Sequence, residues 1–419
     1  MLIDALGRRF PKVEVKDMAT YHRAYAAAME QAHIKFPGDA NIATLYADAL
    51  MIEHPWDMWL KDGSSRPWTP AIVQLLERIL QSHPDHVGAN HMYIHMMEAS
   101  GAASKAIASA DRLRTMLPAA GHLVHMPAHI DIRTGDYHKG VITTENAGFA
   151  DSNYIYQCRI AGTYPLMYYP HNIHFLAACA FLEGNSAKAI AAAWQVSNNA
   201  AKEKTLPENI TVQHYLTIPY YVLVQTGKWD KIRTVTAPGS ELLYPSAIWN
   251  YAQGMADVAG GNLSLAEAKL LTIRKIAAMP ILTKQLIWET NSAAQLVMIA
   301  EKILASEIAS AKKQYSEAEQ LLTEAVAIED KLLYQEPPDW FFSTRHSLGD
   351  VYLQQQKWTE AEKIFLEDMK TYPENGWALM GLYKSLSGQG RGDEARNVKT
   401  RFDTAWQWSD LTLVSSRIH

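Results

Sequence analysis

The sequence has few cysteines, no long apolar run and no excess of basic residues. Two cysteines in 419 residues, Cys158 and Cys179, are too few for a disulfide framework. No stretch of about 18 apolar residues occurs, so we expect no membrane span. The chain has 39 basic and 44 acidic residues, a formal net charge of -5, and no basic run. We therefore expect no nucleic-acid partner.

Strand signals and an apolar leader are also missing. Alternating β-branched runs bounded by turn residues are hard to find. The first residues, MLIDALGRRFPKVEVKD, lack the apolar core of a signal peptide. We expect a cytoplasmic protein as the chain stands, or a secreted or periplasmic one if an N-terminal leader is missing.

Helical segments rich in alanine and leucine fill the chain, with apolar residues spaced by three and four. Short breaks of one type separate them, each with a small or polar turn, then an aromatic or small residue and a charge. This pattern is typical of the turn inside a tetratricopeptide repeat (TPR). It predicts an all-α fold, a TPR-like right-handed α-solenoid of irregular helical hairpins. The breaks are RTGDYHKGV, LEGNSAKAI, QTGKWDKI, AGGNLSLAEA, AKKQYSEAE, QQKWTEAE and GQGRGDEAR.

The positions of the helical segments and breaks divide the chain into four regions, and three aromatic stretches interrupt the repeats. The regions are N-terminal hairpins with a Trp-rich loop (1–82), a histidine-rich core (83–200), middle repeats (201–335) and regular C-terminal repeats (336–419). The aromatic stretches 54–70, 151–170 and 334–342 are long enough to cover the concave face of a solenoid, or to pack as hydrophobic plugs.

Histidine is the residue that stands out. Ten of the 16 histidines fall between positions 83 and 174, where an even spread would place roughly 3.5. Three groups of them precede successive turns, so they lie on the first helices of consecutive hairpins. Residues three or four apart share a helix face. The same-face pairs are His91/His95, His125/His129 and His171/His174.

Such pairs on neighbouring helices can hold a metal ion, since imidazole suits copper, zinc, iron and nickel. We predict these six histidines as ligands of copper or zinc, with iron as a third option. Six imidazoles exceed the needs of one tetrahedral site, so either two metals bind or some of the histidines act as acid–base groups or substrate contacts. Glu98 continues the first face as a ligand, an orienting group or a general base. Pro127 can kink the helix and turn His125 away from His129, in which case His122 can replace His129.

The same residues have ordinary alternatives. A helical histidine is commonly a hydrogen-bonded structural residue, and the methionines near the cluster (Met92, Met96, Met97, Met126 and Met167) are soft donors or simply core. We interpret His83, His86 and His138 as surface residues.

The histidine segments resemble a bacterial group of histidine-rich TPR proteins. HMYIHMMEAS, GHLVHMPAHIDIRTGDY and YYPHNIHFLAACAFLEG carry the pattern H-x3-H-x2-E, G-H-L-x-H-M-P-x-H-I and H-N-x-H-F, and PPDWFFSTRHSLG and EDMKTYPENGWALMGLYKSLSGQGR also match. The resemblance runs from about position 43 to the C-terminus and implies the fold. It says little about function. Ala128 and Asp131 stand where the group often has Ser and Tyr.

Three functions remain open. The first is a metal-dependent enzyme acting on a small organic molecule or short peptide in the groove. The second is a non-catalytic module that binds peptides or proteins. The third is metal-free acid–base catalysis by histidine and Glu98. A pocket in the first case would be formed by His122, Trp56, Trp59, Tyr164, Tyr168, Tyr169, Arg345 and His346.

Overall fold

The regular secondary structure of the described chain is almost entirely α-helical. A computed structural model describes residues 1–15 and 17–419, and in this part the strands are confined to one short antiparallel pair, β1 (Leu286–Ile287) and β2 (Asn291–Ser292). Successive helices joined by short turns pack against each other, which confirms the all-α fold of TPR-like helical hairpins. No described helix is both long and apolar enough to cross a membrane.

Contacts divide the chain into two compact units, Met1–Arg133 and Thr134–His419. Each unit has its own helices. The division falls inside the predicted histidine-rich region 83–200, and the four predicted regions remain a prediction.

The described residues of the first unit form eight α-helices, and neighbours along the chain pack against each other. Asp39 caps one of them by accepting hydrogen bonds from the backbone N–H groups of Asn41 and Ile42, as an N-cap aspartate does. The helices are α1 (Leu2–Arg9), α2 (Ala19–Lys35), α3 (Ala40–Glu53), α4 (Thr69–Ser82), α5 (Val87–Glu98), α6 (Ile107–Met116), α7 (Gly121–His125) and α8 (Pro127–Thr134, which runs one residue past the unit).

The core of this unit lies between α3, α4, α5 and α6. Leu76, Ile94 and Met96 are fully buried there. The Trp-rich stretch packs on this core: Trp59 donates from Nε1 to the backbone oxygen of Met96 in α5 at 2.6 Å. Trp68 stacks on the ring of His54 at 3.8 Å. The loop is therefore anchored to the helix that carries His91 and His95.

The second unit continues the hairpins. Its helices are α9 (Tyr137–Cys158), α10 (Tyr169–Leu182), α11 (Ser186–Ala200), α12 (Ile210–Gln225), α13 (Trp229–Thr234), α14 (Leu243–Ala259), α15 (Leu263–Ala277), α16 (Ala293–Ala311), α17 (Tyr315–Glu329), α18 (Thr344–Gln354), α19 (Trp358–Asp368), α20 (Gly376–Gly388) and α21 (Gly392–Ala405). The helix α9 extends into the stretch 151–170, so the first part of that stretch is not a loop.

The seven predicted inter-helix turns share one backbone feature. Each contains a residue in the left-handed conformation, which lets the chain reverse after a helix. Glycine adopts this conformation without a Cβ clash, and it occupies five of the seven positions. The residues are Gly135, Gly184, Gly227, Gly261, Lys313, Gln356 and Gly390. The turn pattern in the sequence therefore marks a true structural repeat.

The third aromatic stretch covers first helices of the second unit. The ring of Trp340 lies 5.2 Å from that of Tyr221 in α12 and 5.9 Å from that of Tyr251 in α14. Phe341 stacks on His174 in α10 at 5.5 Å. These side chains are buried, so the stretch packs as a hydrophobic plug.

The C-terminal segment 406–419 binds back onto distant hairpins of its own unit. The Asp410 carboxylate accepts hydrogen bonds from the backbone N–H groups of Ser186 and Ala187 at the start of α11, at 2.8 and 2.9 Å. Arg417 pairs with Glu307 in α16. The segment thus ties together helices that are far apart in sequence.

Candidate metal centre

Five histidines of the first unit lie together. They come from α5 (His91 and His95), α7 (His122 and His125) and α8 (His129). Ring centroids of neighbours around this group are 4.7 to 6.4 Å apart, in the order 91–95–129–125–122 and back to 91. We call these five residues the histidine ring.

The junction between α7 and α8 places three of them. Pro127 begins α8, yet the preceding Met126 keeps helical dihedral angles, φ -50 and ψ -40. The chain therefore continues in nearly helical geometry through the break, and His125 and His129 stay one turn apart. Their Nε2 atoms are 2.9 Å apart. The expectation that Pro127 turns His125 away from His129 is wrong.

His122 joins the ring as well as His129, and does not replace it. The Nε2 atoms of His91 and His122 are 3.1 Å apart. His91, His95 and His122 each offer a ligand atom, and these atoms lie within 4.8 Å of one another. The three are partly exposed, whereas His125 and His129 are buried. The ring therefore has one side that is accessible to solvent.

Glu98 holds two of these imidazoles. Its carboxylate is almost fully buried, and its Oε1 atom lies 3.1 Å from Nδ1 of His95 while Oε2 contacts Nδ1 of His129. Burial opposes ionisation, but the two histidines outweigh it, so the pKa of Glu98 is below its ordinary value. An ionised Glu98 accepts Nδ1–H from both rings and leaves each Nε2 lone pair free to bind a metal.

Two of the partly exposed imidazoles, His91 and His122, are kept neutral. Burial, followed by the nearby rings of His95 and His122, lowers the pKa of His91 to about 2. Burial and the neighbouring histidines lower the pKa of His122 to about 4. Neutral imidazole is the form that binds metal ions.

The donor set fits a transition metal. Two imidazole nitrogens bound to one tetrahedral ion at 2.0–2.1 Å are about 3.3 Å apart by geometry. The observed separations of 3.1 and 2.9 Å are close to this value. A buried carboxylate that orients ligand histidines is the usual partner of such sites.

The third predicted pair belongs to the second unit. His171 in α10 lies beside Phe175 and Trp288, with centroids at 5.4 and 6.3 Å. His174 is buried and lies 5.9 Å from the ring of His214 in α12. Burial lowers the pKa of both His174 and His214, that of His214 to about 3.

His214 is not among the predicted site residues, because it stands outside the histidine-rich window. Its Nδ1 atom is 2.8 Å from the hydroxyl of Tyr244, which fixes the ring. The only signal was its position on the first helix of the next hairpin.

The predicted pocket residues lie in different surroundings. Trp56 is 62% exposed and its ring stands edge-on to that of His95 at 5.9 Å. In the second unit, the hydroxyl of Tyr164 donates to Asp151 at 2.5 Å and that of Tyr169 accepts from Gln195 at 2.8 Å. Tyr168 stacks on Tyr164. Trp56 is thus the aromatic side chain beside the accessible side of the ring.

Arg345 and His346 have structural partners. Arg345 binds the Asp330 carboxylate at 2.9 Å. His346 is buried, with Nε2 3.0 Å from Asp368. These pairs tie α18 to the end of α17 and to α19. Their contacts favour a structural role for both residues over a place in a ligand pocket.

The methionines near the ring are core residues. Met96, Met97 and Met126 are buried within the hydrophobic core of the first unit. Their packing favours the interpretation of these residues as core filler over that of soft metal donors.

Of the three histidines set aside, His83 is exposed as expected. His86 caps α5, because its Nδ1 accepts from the backbone N–H of Ala89. His138 is not a plain surface residue: it stacks on Trp408 at 3.9 Å and pairs with Glu183.

The sequence matches no protein-family model and no curated protein. Solved structures of helical proteins are similar over most of the chain at low identity. The Naa15/Naa10 complex bound to HypK-THB has 13% identity and a TM-score of 0.33, covering 96% of this chain and 62% of that chain. Human IFIT1 with m7Gppp-AAAA has 11% identity and a TM-score of 0.38, with coverages of 91% and 76%. Yeast Tom70 has 10% identity and a TM-score of 0.32, and the match covers 98% of this chain and 93% of that chain. These TM-scores are too low to support any argument about function.

Proposed function

We propose that this chain is a TPR-type binding scaffold whose first unit holds a transition-metal ion in the histidine ring. Stacked helical hairpins of this kind commonly bind peptides or proteins along their surface. The observation that supports the metal is the buried Glu98 carboxylate, which contacts Nδ1 of His95 and of His129 at once. Copper or zinc is the expected ion, with iron as a third option.

We also propose that the chain belongs to the histidine-rich bacterial TPR group that its sequence resembles. The residues that carry the resemblance, in HMYIHMMEAS and GHLVHMPAHI, contain all five members of the ring. We therefore propose that members of the group share both this histidine pattern and the metal-binding function.

A metal-dependent enzyme is the second candidate. The observation that favours it is the solvent-accessible side of the ring, formed by His91, His95 and His122 beside the exposed Trp56. A metal with an open coordination position there could activate water or bind a small organic molecule or a short peptide. In this case Glu98 is a positioning residue, because both its oxygens face histidine ligands.

The metal content of protein purified without a histidine tag tests the proposal. We expect copper, zinc or iron to copurify or to be taken up on reconstitution. His91→Ala and His95→Ala should each lower occupancy, whereas His83→Ala, an exposed histidine of the same unit, should not. No metal in the wild type after reconstitution, or equal occupancy in all variants, would overturn the proposal.

Capture of a partner in the presence and absence of a chelator distinguishes a binding scaffold from an enzyme. A scaffold retains its peptide or protein partner when a chelator removes the metal, and it shows no turnover. A metalloenzyme loses both ligand binding at the ring and activity on chelation.

A further inference from the structure

The histidine ring contains more donors than one ion can use. Five imidazoles line it, whereas a tetrahedral ion takes four ligands and a catalytic one takes three from the protein. The ring therefore has enough imidazole donors for more than one ion.

The ring divides into two groups. The ligand atoms of His91, His95 and His122 lie within 4.8 Å of one another, and among the described residues His125 and His129 fall outside that group. We call these three the outer group. His125 and His129, with Nε2 atoms 2.9 Å apart, form the inner pair.

The closest nitrogen contacts fall within the two groups. The Nε2 atoms of His91 and His122 are 3.1 Å apart in the outer group, and those of His125 and His129 are 2.9 Å apart in the inner pair. Each of these separations is close to that of two nitrogens bound to one ion.

Glu98 connects the groups. One oxygen faces Nδ1 of His95, from the outer group, and the other contacts Nδ1 of His129, from the inner pair. A single carboxylate therefore orients one ligand on each side, with both Nε2 lone pairs directed away from it.

We propose that the histidine ring is a two-ion centre, with one metal ion on the outer group and a second on the inner pair. This inference rests on the proposed metal-binding function. The outer ion lies at the solvent-accessible side and the inner ion among buried residues. The remaining coordination positions are filled by water or by further side chains.

Hydrogen bonding is the competing explanation for the close nitrogens. In the absence of an ion, one imidazole of each pair carries Nε2–H and donates it to the other. That arrangement satisfies the same distances with no metal, so stoichiometry is the quantity that distinguishes the two explanations.

The test is a titration of the metal-free, full-length protein with Zn²⁺ and, separately and without oxygen, with Cu⁺. We expect two equivalents to bind for at least one of these ions. Saturation at one equivalent for both overturns the two-ion centre and leaves the proposed function intact. No binding of either ion overturns both.

Variants then assign the two ions. His91→Gln changes a partly exposed residue of the outer group and should retain one equivalent, held by the inner pair. His125→Gln should also retain one, and the double variant none. His83→Gln, the matched control, should retain two. Circular dichroism checks that each variant is folded.

If His125→Gln fails to fold, His91→Gln decides alone. One tightly held ion in a folded His91→Gln supports the inner site. Complete loss of binding in folded His91→Gln shows a single shared site and overturns the proposal.

Discussion

Replacing Glu98 with glutamine tests whether this carboxylate orients the ligand histidines. Glutamine has nearly the same shape, but one of the two carboxylate oxygens becomes an NH₂ group that donates a hydrogen bond. Glu98 faces Nδ1 of His95 with one oxygen and Nδ1 of His129 with the other. In Glu98→Gln one of these rings therefore meets a donor.

That ring responds by changing tautomer. Its Nδ1 then accepts from the glutamine NH₂, and its proton moves to Nε2, where it blocks metal binding. Loss of an orienting partner typically weakens metal affinity about 10- to 100-fold, which corresponds to about 1.4–2.8 kcal/mol of binding free energy.

Competition with a chelator of known affinity measures this change. Glu77→Gln is the matched control, since Glu77 also accepts a side-chain hydrogen bond in the first unit, from the hydroxyl of Tyr93 at 2.9 Å, and is not in the ring. We expect the control to bind metal like the wild type. Equal affinity in Glu98→Gln and the wild type would refute the positioning role.

Three further predictions concern the scaffold. Burial raises the pKa of Asp339 to about 7. Ionisation of this carboxyl therefore destabilises the fold increasingly as the pH rises from about 4 to 7, by up to about 4 kcal/mol. Asp339→Asn should remove this pH dependence of the urea midpoint, and an unchanged pH profile would contradict the prediction. Gly390 has a φ of +74 and no atom near its Cβ position, so Gly390→Ala should lower the free energy of unfolding by about 1–2 kcal/mol through backbone strain alone. Gly38→Ala, in equally open space without a positive φ, should not lower it. Equal urea midpoints for the two variants would show the reasoning to be wrong. Trp59→Phe removes the bond to the Met96 oxygen and should cost about 0.5–1.5 kcal/mol, measured by urea unfolding; no loss would show that the loop is held by packing.

The hairpins could be predicted from the sequence because their signals are local. The spacing of apolar residues and the recurring turn place the helices, and the left-handed positions occur where the turns predict. Lys313 and Gln356 adopt the same conformation as the glycines. In both turns the next backbone N–H bonds back to the end of the helix, from Gln314 to the Ala309 oxygen and from Lys357 to the Tyr352 oxygen, so the turn forms even where the residue is unfavourable.

Only part of the site could be predicted in this way. The pair His91/His95 and the position of Glu98 follow from helical spacing. The place of His122 depends on a five-residue helix, and the closeness of His125 to His129 depends on the dihedral angles of Met126. A proline in a sequence says only that a backbone N–H is missing, and not whether the neighbouring residues remain helical.

The contacts of Arg345 and of the C-terminal segment could not be predicted from the sequence. Arg345 binds Asp330, and Arg417 binds Glu307 more than a hundred residues away. Charge pairing across hairpins depends on how the helices stack, and a single sequence has no local signal for it.

Anomalous diffraction from crystals of the metal-loaded protein tests the central claim most directly. The account predicts a metal peak within about 2.0–2.1 Å of the Nε2 atoms of His91 and His122, with Glu98 bound to Nδ1 of His95 and not to the metal. Metal peaks only outside the histidine ring, or an empty ring in metal-saturated crystals, would contradict it.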